Sequence, residues 1–253
     1  MKRTIITVVL VLLGATSVLA QAKPDADKKA AAPMPTVDQI LENYVKALGG
    51  KEAILKVTSR VQKGTLEAAA MNVNAPMEIY AKAPNKTFFF VDVASYGVVQ
   101  EGFNGTAGWT QEPQGGLQDK TGAALAEAKV EGEFYKSLHL KEVYSKVELK
   151  GVEQVDSRDV YVLACTIAGG TTDKLFFDKQ SGLLVRRDFE RDSPMGRTAT
   201  QEFFTDYKEV DGVKVAHALR HLGAMGEVFI KFTEVKQNVP IDDGKFNKPA
   251  AKP

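Results

Sequence analysis

The stretch DGVKVAHAL at residues 211–219 indicates the fold class of this chain. Its larger apolar side chains fall at every second position, so Val213, Val215 and Leu219 share one face of a strand with His217. Asp211-Gly212, directly before them, is a turn signal typical of antiparallel strands. The stretch therefore predicts a hairpin-connected sheet with one apolar face.

The same alternation extends through most of the chain. Before the middle, strands are predicted near residues 59–69, 75–83, 86–94, 97–104 and 106–112, with a hairpin turn at Asn104-Gly105. After Tyr144, strands are predicted again, between turn signals at 156–159, 169–170, 179–182 and 193–196. Turns at such regular spacing predict an antiparallel meander of about ten or eleven strands, not βαβ units.

Two segments have helical spacing instead. Thr36 and Gln39 match a capping box, and the apolar residues from Val37 to Leu48 recur every three or four positions until Gly49-Gly50. A helical insertion is predicted from Gly122 to Leu140, where apolar residues again recur near helical spacing. An apolar sheet face needs a cover, and we expect these two helices to supply it.

The chain ends differ from the rest in composition. Residues 1–20 combine a basic start at Lys2-Arg3 with a short apolar run from Ile5 to Leu13, which predicts a secretory signal peptide. Residues 21–35 are rich in Ala, Lys and Pro and are expected to be a flexible leader, and residues 248–253 a disordered tail. The domain is predicted over 36–247. The sequence thus predicts a protein that is exported to the periplasm and soluble after cleavage.

Composition and motifs argue against several functions. Lys and Arg number 33 against 32 Asp and Glu, so there is no basic field for nucleic acid. Cys165 is expected on an apolar strand face as a small hydrophobic residue. His217 and His221 are four apart on a predicted strand without a third ligand nearby, which does not favour a metal site. Nucleophile-elbow and phosphate-loop motifs are absent from the sequence, so we expect neither an enzyme nor a cofactor.

Three short motifs carry a family resemblance. They are YAKAPNK at 80–86, NGTAGW at 104–109 and VPIDDGKF at 239–246. With the order of elements, they resemble the outer-membrane lipoprotein carrier superfamily (LolA/LolB-like) over about 36–247. The resemblance implies a mainly β fold with helices (α+β). This is an unclosed antiparallel β-barrel, or half-barrel, wrapped around an N-terminal helix and a helical lid, with an acyl-binding cavity between them.

Two departures from the family pattern indicate a divergent member. In the lipoprotein chaperones of the family, an arginine tied to the lid precedes the motif proline, whereas this chain has Ala83 there. Lys82 is adjacent, but neighbouring strand residues point to opposite faces. No cysteine stands at the predicted cleavage site, which argues against the membrane-anchored branch of the family. The cargo of the carrier is left open by these differences.

We predict a carrier or binding protein for a lipid or for the acyl chain of a lipoprotein, with transient membrane contact. The expected ligand-binding residues come from strands near the lid and from the lid itself: Met77, Ile79, Phe88, Phe90, Val98, Trp109, Val130, Phe134 and Leu138. The alternative is that these residues form a closed core. The protein would then be a ligand-free envelope module that binds a protein partner through its sheet edge or outer surface.

Overall fold

The computed structural model describes residues 33–168, 170–193, 196–224 and 226–250. The predicted signal peptide, residues 21–32 of the predicted leader and residues 251–253 of the predicted tail lie outside these ranges. Residues 33–36 and 248–250 have no regular secondary structure. Between them the chain forms four α-helices and a single sheet.

The first two helices lie at the start of the domain. Helix α1 spans Val37–Leu48, and its capping box is confirmed: the Thr36 N–H donates to Gln39 Oε1 at 2.8 Å, and Gln39 N–H donates to Thr36 Oγ1 at 3.2 Å. The helix ends at Gly49, whose φ of 123° and close approach to Gly212 leave no room for a side chain. Helix α2 follows at Lys51–Lys56. None of the described helices is long and apolar enough to cross a membrane.

The sheet contains thirteen strands, all paired antiparallel to their neighbours. They are β1 (Ser59–Ala68), β2 (Val73–Lys82), β3 (Lys86–Val93), β4 (Gly97–Phe103), β5 (Gly108–Glu112), β6 (Gly116–Lys120), β7 (Lys146–Val155), β8 (Arg158–Thr166), β9 (Thr172–Asp178), β10 (Leu184–Ser193), β11 (Gly196–Val210), β12 (Val213–Gly223) and β13 (Gly226–Gln237). The sheet does not close, which confirms the predicted mainly β, α+β half-barrel.

The strand order explains where the lid must lie. From β1, at the middle of the sheet, the chain runs outward strand by strand to β6 at one edge; it then resumes at β7 on the opposite edge and returns to β13, which pairs with β1. The connection from β6 to β7 therefore has to cross the full width of the sheet. It carries helices α3 (Gly122–Gly132) and α4 (Leu140–Val143), so the topology itself places these helices across one face.

We call the face that packs against the helices the inner face. Leu163 and Cys165 of β8 lie on it, buried with Ile40 of α1 and Val130 of α3. Near the C-terminal end of α1, α2 contributes Ile54 to a second buried cluster with residues of α1 and β12. The expectation for Cys165 agrees with this packing: it is a buried free thiol, and burial together with Asp173 raises its pKa to about 12.

Two sequence expectations need correction. The helical insertion is not one helix to Leu140, because α3 ends at Gly132 and turns follow before α4. At Gly132 the chain passes so close to the sheet that an added Cβ would lie 2.5 Å from Cδ1 of Phe103 and 3.2 Å from the Asn85 carbonyl oxygen. The sheet also has more strands than the ten or eleven predicted, and one of the additional strands is the short edge strand Gly116–Lys120.

Candidate ligand cleft

A cleft of about 320 Å³ lies between the inner face and the helices. Its size is at the low end of ordinary ligand pockets, about 300–1,000 Å³. Its walls come from α1, α2, the lid segment and seven strands (β1, β2, β3, β10, β11, β12 and β13), and they are largely apolar. The apolar lining consists of Leu48, Ile54, Val57, Ile79, Ala81, Phe134, Leu184, Phe204, Val213, Val215, Ala216, Leu219 and Phe232.

Polar side chains also line the cleft, and several of them belong to the lid: Glu131, Glu133, Lys136 and Ser137. Arg60 and Gln62 line it from β1, with Tyr44 of α1 opposite them. Burial raises the pKa of Tyr44 to about 12, although the positive charge of Arg60 acts in the opposite direction. Tyr207 also reaches the cleft, but its hydroxyl donates to the Leu184 carbonyl oxygen at 2.8 Å. The cleft is thus a largely apolar space with polar side chains on the lid side and on the β1 wall.

The segment after α3 forms the roof of the cleft. The Phe134 N–H donates to the Pro84 carbonyl oxygen at 3.0 Å, and the Tyr135 hydroxyl donates to the Val57 carbonyl oxygen at 3.1 Å. The Phe134 ring lies 5.1 Å from that of Tyr135 in an edge-on arrangement. These bonds attach the lid to β2–β3 and to the end of α2, so the roof is held from both sides.

An ionic cluster with a buried centre, Arg187 and Asp173, fixes the lid to the far half of the sheet through Glu131, whose side chain is 43% exposed. Arg187 of β10 donates to Asp173 of β9 from Nε at 3.1 Å and from Nη2 at 2.7 Å, and its Nη2 also donates to Glu131 of α3. Tyr144, at the end of α4, donates to the same Asp173 carboxylate at 3.1 Å. Two lid groups and two strands therefore share one set of contacts.

The charges in this cluster compensate one another. Burial alone would raise the pKa of Glu131, but Arg187 and Lys136 more than offset it and hold the pKa well below its usual range. Burial would likewise lower the pKa of Arg187, but Glu131 and Asp173 keep it well above its usual value. Glu131 and Arg187 are therefore both charged at neutral pH, and their ion pair joins the lid to the sheet.

The predicted ligand-binding residues are divided between the two faces of the sheet. Ile79 and Phe134 line the cleft. Met77 lies on the same face but is buried beside Val91 and Phe232. The other two lid residues pack elsewhere under the lid, Val130 with the β8–β9 core and Leu138 with α1 and α2. Contact of any of these residues with a ligand stays a prediction.

Three of the predicted ligand-binding residues, all of them aromatic, do not lie at the cleft. Phe88, Phe90 and Trp109 point to the opposite, outer face. There they pack under the chain's C-terminal segment, where Trp109 Nε1 donates to the Phe246 carbonyl oxygen at 3.1 Å and Phe246 itself is fully buried. The outer face thus has its own core, because residues 239–246 fold back over it.

Val98 also lies outside the cleft, since it is an exposed residue of β4 paired with Asp92. The two strand histidines have partners within the chain: His217 Nδ1 lies 2.9 Å from the Val215 carbonyl oxygen, and His221 Nε2 lies 2.9 Å from Glu202 Oε1.

Sequence reasoning missed Arg60. It stands in an alternating strand, where a charged residue is normally assigned to solvent.

Two further depressions have a different character. One of about 470 Å³ lies between α1 and the turn at 178–182 and has mostly polar walls, including Asn43, Lys46 and Asp178. The other, about 820 Å³, is a groove beside the C-terminal segment, near Thr58 and Asn238. Neither lies under the lid. The cleft between the lid and the inner face is therefore the candidate functional site.

Comparison with known proteins shows the fold but no sequence relative. No protein-family model matches the sequence, and no curated protein matches it at a significant level. Among solved structures, a LolA superfamily protein from Nitrosomonas europaea matches with a TM-score of 0.56 at 15% identity, over 85% of this chain and 99% of that one.

Two more solved structures agree with this. A DUF1329 family protein from Desulfovibrio piger has a TM-score of 0.54 at 15% identity, over 83% of this chain and 97% of that one. An outer membrane lipoprotein-sorting protein domain from Vibrio parahaemolyticus has a TM-score of 0.53 at 13% identity, over 83% and 95%. The chain therefore has the open half-barrel fold found in the LolA superfamily, as the sequence motifs predicted.

Proposed function

We propose that this protein is an exported carrier that holds an acyl chain, of a lipid or of an acylated polypeptide, in the cleft under the lid. The observation that carries the proposal is the cleft itself, which is an apolar space of about 320 Å³ between the sheet and a roof that crosses it. Each methylene buried there would contribute about 0.8 kcal/mol before the costs of binding. Apolar contact alone can therefore supply the affinity.

The lid is built in a way that suits uptake and release. One end of the lid follows edge strand β6 and the other precedes edge strand β7. Between them the lid is held by a few hydrogen bonds, the ion pair of Glu131 with Arg187 and the buried side chain of Val130. A segment that lacks the continuous hydrogen-bond ladder of a strand can open locally at a lower free-energy cost than the sheet beneath it. We propose that lid opening admits the chain and that the closed lid shields it from water.

The proposal needs no catalytic step. The two acidic residues that line the cleft are engaged in the fold: Glu131 with Arg187 and Lys136, and Glu133 with His139 at 3.0 Å. We propose a periplasmic location on the basis of the signal-peptide pattern of residues 1–20 and of the fold shared with the LolA superfamily protein. Delivery of the chain would involve transient contact with a membrane.

The experiment is a binding assay with an uncharged apolar probe, N-phenyl-1-naphthylamine, whose fluorescence rises in apolar surroundings. Ala81 lines the cleft, whereas Ala94 is exposed in the turn between β3 and β4. We expect the wild type and Ala94→Trp to bind the probe and Ala81→Trp to bind it at least tenfold more weakly, because the indole fills the space. Native mass spectrometry of the exported protein should also show a retained lipid.

Equal binding by Ala81→Trp and Ala94→Trp would remove the cleft as the site. If the wild type bound neither the probe nor any lipid, the carrier proposal would be wrong. The second candidate would then gain support, namely a ligand-free module that binds an envelope protein. The specific observation behind it is that β7, ten residues long, is a terminal strand of the sheet with Val152 exposed on it, so it could accept an added strand.

A further inference from the structure

One basic side chain in the cleft lacks a carboxylate partner. Arg60 lines the cleft from β1, and none of the described residues forms an ion pair with it. The buried amide of Gln237 lies beside it: in the amide orientation that lets its nitrogen donate to the Val210 carbonyl oxygen, its oxygen accepts from Arg60 Nη2 at 3.3 Å. A guanidinium has five N–H donors, so most of its donor capacity is not used by the fold.

The surroundings of Arg60 are costly for a charge. Its guanidinium carbon lies 5.9 Å from the centre of the Phe134 ring in the lid, and Tyr44 is nearby on α1. Burial lowers the pKa of Arg60 below its usual value, and the influence of Tyr44 in the other direction does not cancel this. The guanidinium still carries its proton at neutral pH. An apolar residue would pack at this position at a lower free-energy cost, so the presence of a charged side chain needs an explanation.

The acidic groups of the cleft do not explain the charge of Arg60, because they are paired with other residues. Glu131 and Glu133, both on the lid side, are engaged with Arg187, Lys136 and His139. Lys214, exposed on the cleft wall, adds further positive charge. Among the charged side chains that line the cleft, three are basic (Arg60, Lys136 and Lys214) and two are acidic, and apolar residues form most of the remaining wall. This combination is complementary to a molecule with one apolar chain and one anionic head.

We propose that Arg60 binds the oxyanion head of an amphipathic ligand, a carboxylate or a phosphate, while the apolar chain of the same ligand occupies the cleft. The inference rests on the proposed carrier function and names the class of ligand. The planar fork of the guanidinium can donate two parallel hydrogen bonds to either head group. Tyr44 also lines the cleft, and its hydroxyl, protonated at neutral pH, is a further donor for the head group. The ligand would complete the charge balance that the fold leaves open.

The test compares ligands that share one chain and differ in the head. Laurate, dodecyl phosphate and dodecanol are titrated against bound N-phenyl-1-naphthylamine in the wild type. Charge-assisted hydrogen bonds should make at least one anion displace the probe at about tenfold or more lower concentration than the alcohol. Whether laurate or dodecyl phosphate is the stronger identifies the head group.

Three variants assign the preference to the residue. Arg60→Met should bind dodecanol as the wild type does but lose the preference for the anion, and Arg60→Lys should keep part of it. Arg220→Met is the matched control, because Arg220 stacks on Phe203 at 4.1 Å as part of the outer-face packing; it should keep the full preference. Phenylglyoxal modification gives a further test that does not depend on the folding of a variant. In the wild type, the preferred anion should slow the modification of Arg60 by phenylglyoxal, whereas dodecanol should not.

The outcomes separate the two proposals. Equal displacement by anions and alcohol in the wild type would overturn the role of Arg60 and leave the carrier function in place. An unchanged anion preference in a folded Arg60→Met would do the same, since Arg60 would then only pack against the lid. Unslowed phenylglyoxal modification in the presence of the preferred anion would also count against it. If the probe and all three ligands failed to bind the wild type, the carrier function itself would be wrong.

Discussion

Glu131 on the lid helix and Arg187 on β10 form an ion pair that joins the crossing segment to the half of the sheet beyond it. The two residues are 56 positions apart in the chain, and Arg187 is almost fully buried. The same guanidinium is bound to Asp173, which also accepts from Tyr144 at the other end of the lid. Lid closure is thus coupled to a charge cluster in the core of the sheet.

The first prediction concerns acid stability. The pKa of Glu131 in the folded chain is well below its ordinary value of 4.5. Between the two values the unfolded chain binds more protons than the folded one, so stability is lost as pH falls below about 4.5. We expect the urea midpoint to fall between pH 6 and pH 3 more steeply for the wild type than for Glu131→Gln. Parallel curves for the two proteins would show that the ion pair does not contribute.

The second prediction concerns the acceptor at the centre of the cluster. Asp173→Asn preserves the volume of a fully buried side chain but removes the charge that balances Arg187. We expect a loss of about 3 kcal/mol in the free energy of unfolding, because the guanidinium stays buried with less compensation. Urea denaturation at pH 7 measures it. Asp243→Asn, at an exposed ion pair with Lys82 and Lys86, is the control and should change stability little.

The third prediction concerns the close approach of the lid to the sheet. A methyl group at Gly132 would lie 2.5 Å from Cδ1 of Phe103, too close for a real contact. We expect Gly132→Ala to lower the free energy of unfolding by about 1–3 kcal/mol and to speed amide exchange in α3. Gly115→Ala is the matched control, since its added methyl would meet nothing closer than 3.4 Å. Similar stability of both variants would mean that the lid shifts without cost.

The parts of the fold that depend on local signals could be predicted from the sequence. The capping box at Thr36 and Gln39 and the turn at Asp211-Gly212 are fixed by residues a few positions apart, and the structure contains both. The meander followed from the regular spacing of such turns. Gly132 weakens the helical pattern in the sequence, but the cause of the break could not be predicted from local signals, because it is a ring of another strand, 29 positions earlier in the chain.

The assignment of strand faces failed for a related reason. Phe88, Phe89 and Phe90 are consecutive, so β3 shows no alternation that would distinguish its two faces. Both faces are in fact covered: Phe89 lies with Met77 on the inner face, and Phe88 lies with Trp109 under the C-terminal segment. Phe246, in the segment that covers Trp109, lies 137 positions after Trp109 in the chain. The motif at 239–246 was visible in the sequence, but its packing partner was not.

The last prediction tests which face holds the ligand. Trp109 is 2% exposed in the outer core, and its indole N–H is bonded to the Phe246 carbonyl oxygen; Phe134 is half-buried at the cleft. We expect Trp109→Phe to lower the free energy of unfolding by about 1–3 kcal/mol and to leave the affinity for N-phenyl-1-naphthylamine unchanged. Phe134→Ala should weaken probe binding about tenfold with a smaller effect on stability. Urea denaturation and probe titration on the same samples give both quantities, and the opposite pattern would place the apolar site on the outer face, under the C-terminal segment.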